Sequence, residues 1–78
     1  MKPPSIPLTL IEPNREVTLV AVHGGRGLRR RLTDMGLNEG MSLRVVQAHS
    51  AGPCVIAVGG TRLMLGHRMA QKILVQPG

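Results

Sequence analysis

The sequence contains no Phe, Tyr or Trp, and one cysteine, Cys54, in 78 residues. Without aromatic rings there is no stacking platform of the kind that single-stranded RNA and DNA modules commonly use. A lone thiol cannot close an internal disulfide, so a chain this short has to be held together by aliphatic packing. Acidic residues are scarce too: four (Glu12, Glu16, Asp34 and Glu39) against ten Lys and Arg. Three of the four stand at expected turns or element ends and no two form an obvious acid and base pair. Cys54 begins an expected strand with no base and orienter set beside it. The chain is therefore expected not to be an enzyme and to need no cofactor. No apolar run approaches the roughly 18 residues of a membrane helix, and the first residues lack the apolar region and cleavage site of a signal peptide, so a cytoplasmic location is expected.

What the chain does have is aliphatic side chains and positive charge. Hydrophobic residues make up 42% of it, all of them Val, Ile, Leu, Met, Ala or Cys, and the net charge is +6. The length suits one small domain. Residues 1–7 hold three of the six prolines and are expected to form a poorly ordered arm, leaving residues 8–76 as a single domain. A pI near 11.5 raises nucleic acid, an anionic membrane or an acidic protein face as partners. At about 1 kcal/mol per basic residue near an anionic bilayer, the triple arginine contributes about 3 kcal/mol, less than a millimolar complex requires. Stable direct membrane binding is not expected.

Along the chain, Glu12-Pro13-Asn14 marks a turn, with Asn tolerating a left-handed backbone. EVTLVAVH (residues 16–23) is dense in β-branched residues and almost continuously apolar, as in a strand packed on both faces or in a small closed barrel. Between Gly27 and Asp34 the spacing becomes helical, with Leu28, Leu32 and Met35 at i, i+4 and i+7, and Gly36 stands where a C-terminal cap glycine belongs. A second strand is expected over residues 41–48, with Leu43 and Val45 on one face. Residues 54–58 and 61–65 flank Gly59-Gly60, a strong hairpin signal. A helical turn over residues 66–71 and a last strand over 72–76 complete five short strands and two short helices, a pattern that suggests a small barrel or sandwich.

The motifs that could carry chemistry are few. Gly24-Gly25-Arg26-Gly27 precedes a helix, where glycine amides can cradle an anion. The Lys and hydroxyl of a nucleotide loop are missing, however, and Arg30 stands where a dinucleotide site needs another glycine. His23, His49, Cys54 and His67 do not have zinc-site spacing; only His49 and Cys54 are close in sequence, as weak metal candidates around a Gly-Pro turn. The arginines remain. On a helix, Arg29 and Arg30 lie away from the Leu28, Leu32, Met35 stripe and Arg31 lies at its edge, a basic face that either covers the rim of the core with its stems or binds carboxylates bidentately. Arg26, Arg44, Arg62 and Arg68 could extend that face. No helix is long enough to read a DNA groove, so only nonspecific, salt-sensitive nucleic-acid binding is expected.

The order G-x-x-L-R-R-R-L-x-D-M-G-L-x-x-G, followed by G-P and an apolar strand and then R-L-x-L-G-x-x-x-A-x-x-I-L-V, resembles the FeoA family of small cytoplasmic ferrous-iron transport accessory proteins. The resemblance runs from about Leu8 to Gln76. It implies a mainly β, SH3-like barrel of about five strands, with a short inserted helix and a short helical turn before the last strand. It also implies a partner, the cytoplasmic face of the membrane iron transporter FeoB, and a non-catalytic role that supports or modulates Fe(II) transport. Carried over by position, Leu28, Leu32, Met35, Leu37, Leu65, Ala70 and Ile73 look structural, as do Gly36, Gly40, Gly52 and Pro53. Arg26, Arg29, Arg30 and Arg31 are the candidate partner-binding residues. Asn14 stands where the family often has Gly, and Ala51-Gly52-Pro53 replaces a more polar turn. Two alternatives stay open: a basic small-barrel nucleic-acid-binding protein, and a stand-alone iron-sensing domain related to the C-terminal domain of iron-dependent repressors. Oligomeric state is not fixed by any of these patterns.

Overall fold

The structure is a computed structural model that describes residues 5–48 and 52–77. Six strands form one antiparallel sheet: β1 (Ile6–Pro7), β2 (Glu16–Val22), β3 (Ser42–Gln47), β4 (Cys54–Val58), β5 (Thr61–Leu65) and β6 (Ile73–Pro77). Their order across the sheet is β1-β6-β2-β3-β4-β5. A 3-10 turn, Leu8–Leu10, follows β1; helix α1 (Arg26–Asp34) joins β2 to β3, and helix α2 (His67–Gln71) joins β5 to β6.

The SH3-like barrel of about five strands does not hold: the described sheet has six strands and is open, with β1 and β5 at its two ends. Ile6 and Pro7, inside the segment expected to be an arm, pair with Val75 and Leu74. So short a strand, one of whose residues has no N–H, cannot carry a second ladder. That side is finished by helical turns: α2 packs on the 3-10 turn and both pack on β6. They deliver Leu8, Ile11 and Ala70 to the core without strand hydrogen bonds.

The near-continuous apolarity of β2 has a specific cause. Leu19 pairs with Val75 and Ala21 with Leu74, so Val20 is an extra residue opposite β6. Such a bulge resets the alternation of side chains. Val17, Leu19 and Val22 consequently face the core while Thr18, Val20 and Ala21 are half-buried on the other side. Val46 is the corresponding extra residue between β3 and β4. The core is completed by Leu32, Leu37, Leu43, Val45, Cys54, Ile56, Leu65, Ile73 and Val75, all buried, and among the described residues no polar side chain is buried with them. Local turn chemistry follows the sequence. Asn14 is left-handed at φ 69° and donates its N–H to the Val45 carbonyl at 2.6 Å, and Gly59 and Gly60 take φ 53° and 85° in the β4–β5 hairpin.

Candidate partner-binding surface

Helix α1 is short and ends sharply. Met35 is its C-cap and Gly36 follows at φ 91°, a left-handed value that favours glycine. The turn lets the Gly36 N–H reach the Thr33 carbonyl at 2.9 Å and the Leu37 N–H reach the Leu32 carbonyl at 2.8 Å, the paired bonds of a Schellman stop. The chain then turns onto β2: the Gly40 N–H donates to the Leu19 carbonyl at 2.7 Å and the Leu19 N–H to the Met41 carbonyl at 2.9 Å. Gly40 is also left-handed, at φ 88°. Both glycines therefore shape the segment that ties α1 to the sheet.

Between α1, β2 and this segment lies a groove of about 250 Å³. Leu19, Val22, Leu32 and Leu37 form its apolar floor, and Arg29, Thr33, Asn38 and Glu39 form a polar rim. At about 100° per residue, Arg29 and Thr33 flank Leu32 on one side of the helix while Arg30 stands opposite it. Arg29, rather than Arg31, is thus the arginine that reaches the groove. Arg26, Arg30 and Arg31 are exposed on the rest of the helix surface. The result is a small apolar recess with one guanidinium group at its rim and three more on the exposed surface of the helix, groups able to grip carboxylates.

Of the residues expected to anchor the helix, Leu32 and Leu37 are buried, Leu28 is half-buried, and Met35 is exposed. Leu65, Ala70 and Ile73 are buried in the core. Gly52 and Pro53 lie in the connection before β4. Arg44 and Arg62 stand on the same face of the sheet, one on each side of Ala57, separate from the α1 arginines, and Arg68 lies in α2. His49 lies outside the described residues. Cys54 is buried, and burial pushes its thiol above the usual range, the opposite of what a thiolate ligand or nucleophile needs. Among the described residues no three His, Cys, Asp or Glu side chains are grouped to hold a metal ion. The sequence reading missed Leu19, Val22, Thr33, Asn38 and Glu39 as groove residues. The i, i+4 step from Arg29 to Thr33 was available as a signal, but which strand the helix would cover was not.

Comparison with known proteins bears on the family and the fold. Residues 6–77 match the family described as FeoA domain. A Methanocaldococcus jannaschii protein named for Fe(2+) transport protein A is 33% identical over 70 residues, covering 90% of this chain and 84% of that one. The crystal structure of an iron uptake regulatory protein (FeoA) superposes with a TM-score of 0.88 at 32% identity, over 96% of this chain and all of that one. A manganese-dependent transcriptional repressor superposes with a TM-score of 0.89 at 22% identity, but the shared part is 44% of the repressor, and the likeness is one of fold. No helix among the described residues is long and apolar enough to cross a membrane.

Proposed function

The chain belongs to the FeoA family, and on that premise we propose that it is a non-catalytic accessory protein of ferrous-iron uptake that docks through α1 on the cytoplasmic part of a FeoB-type transporter. Fe(II) is the cargo of that transporter and not a resident cofactor of this chain. The observation that carries the docking reading is the groove floored by Leu19, Val22, Leu32 and Leu37 with Arg29 at its rim and three further exposed arginines on the same helix. An apolar side chain of the partner would fill the recess, where a well-packed anchor contributes most of the affinity. Acidic groups around it would meet the arginines, setting orientation and association rate more than depth of binding.

The test is a calorimetric titration against the cytoplasmic part of FeoB, with and without nucleotide. The double variant Arg29→Glu, Arg30→Glu should keep its circular dichroism spectrum and thermal transition but bind at least about 10-fold more weakly, consistent with reversing two charges that face an acidic surface. An unchanged dissociation constant would remove α1 as the docking face while leaving the family assignment intact.

A further inference from the structure

The open sheet ends on two unlike edges. β1 presents two residues, one of them a proline, and is thereby blunted. β5 presents five residues, Thr61–Leu65, with no proline, lysine or bulge. The two-residue turn Gly59-Gly60, left-handed at both positions, makes Val58 and Thr61 a hydrogen-bonded pair. Pairing alternates from there, so Leu63 and Leu65 also direct their backbone groups at β4, whereas Arg62 and Met64 direct theirs away from the sheet. Among the described residues no further strand or turn bonds to them. The Met64 side chain is 69% exposed on this strand.

We propose that β5 is an interaction surface for a second copy of this chain, added as an antiparallel strand about a two-fold axis through Leu63. The register is self-complementary. Arg62 falls opposite Met64 of the second copy, and each such pair exchanges both of its backbone hydrogen bonds. Charge selects this arrangement. A parallel, in-register addition sets Arg62 beside Arg62, whereas the antiparallel one lays each arginine stem along a thioether and leaves both guanidinium groups in water. An acidic strand from another protein would find one arginine on this edge, against the four of α1, so the edge is better suited to its own copy. Five residues a side make a small interface, well under the roughly 1,600 Å² of a standard one. The dimer is accordingly weak, in the low-area class of transient contacts.

The experiment is sedimentation equilibrium with residue-resolved amide exchange on the full chain at about 10 µM and about 1 mM. The average mass should rise toward twice the monomer, and the Arg62 and Met64 amides should gain protection while those of Leu63 and Leu65, already bonded to β4, stay constant. Met64→Lys, which sets two like charges opposite each other twice per dimer, should weaken association about 10-fold, and Met64→Glu should strengthen it by a similar factor. Position 64 is exposed, so both variants should retain the wild-type dichroism spectrum. A monomer at 1 mM, a dimer whose Arg62 and Met64 amides still exchange freely, or equal effects of Lys and Glu would each overturn the proposal. The surface is distinct from α1, so failure of the FeoB titration leaves it standing.

Discussion

The N–H of Leu37 donates to the carbonyl of Leu32 at 2.8 Å, closing the C-terminus of α1 and bringing two buried leucines to the floor of one groove. The bond spans Gly36, whose φ of 91° costs about 1–2 kcal/mol for a residue with a Cβ. Gly36→Ala should therefore lower unfolding free energy by about 1–2 kcal/mol, with Gly36→Asn less harmful because Asn tolerates the left-handed region. Urea unfolding followed by circular dichroism measures both. Equal losses for Ala and Asn would mean that something other than this turn governs the position.

Leu32 and Met35 lie three residues apart and should respond very differently to truncation. Leu32 is buried at 1% relative exposure and Met35 is exposed at 36%. Leu32→Ala should cost about 2–5 kcal/mol, a large part of the stability of a domain this small. Met35→Ala should stay within about 0.5 kcal/mol. Thermal melts of the two variants decide it.

The N-terminus of α1 is uncapped. Gly25 sits at φ −72° and ψ 175° with no side-chain cap, no acidic residue follows in the first turn, and a Cβ at Gly25 would meet nothing within 4 Å. Gly25→Asp supplies both an acceptor for the free N–H groups and a negative charge at the positive end of the helix, gaining about 0.5–1 kcal/mol. The melting temperature should rise by about 3–6 °C at neutral pH. The gain should fade below about pH 4 as the carboxylate protonates.

Cys54 should be inert in the folded protein and reactive only on unfolding. Burial raises its pKa, so the folded state holds its proton to higher pH than the unfolded chain does. Its contribution to stability is therefore complete below the ordinary thiol value of about 8.5 and is lost as pH rises through the higher folded-state value. Maleimide labelling should be slow until denaturant is added. Comparing the pH dependence of unfolding above about 8.5 with that of Cys54→Ala should isolate the thiol contribution.

The features that were legible in the sequence are those governed by local rules. Gly59-Gly60 specifies its hairpin, Asn14 its left-handed turn and Gly36 the end of α1, because each backbone conformation admits few residue types. Cross-chain relationships were not legible. Met35 continues the helical spacing of Leu28 and Leu32, but the helix has ended by then and the left-handed Gly36 brings Leu37 inward instead. Ile6 and Pro7 read as arm because a two-residue strand exists only by virtue of β6. The barrel expectation of about five strands missed β1 and had no means of seeing that so short a strand leaves the sheet open. The arginines of α1 were legible as a face. That Arg29 borders a recess floored by Leu19 and Val22 and rimmed by Asn38 and Glu39 depends on where the helix lies over β2, which no spacing within α1 encodes.

The extra residue in β2 has a consequence of another kind. β2 pairs with β3 through Glu16, Val17 and Thr18 and with β6 as far as Val22; Val20 is absorbed as a bulge, so that Val22 still faces inward beside Leu19 on the floor of the groove. Any side chain content with half-burial would serve there, and removing the residue would leave Leu19, Ala21 and Val22 alternating in, out, in as in a regular ladder. Position 20 is thus one where the extra residue sets the local bend of β2 and not which side chains reach the core. Across related chains it should vary freely in type, and a chain without it should keep the same inward residues on a straighter strand.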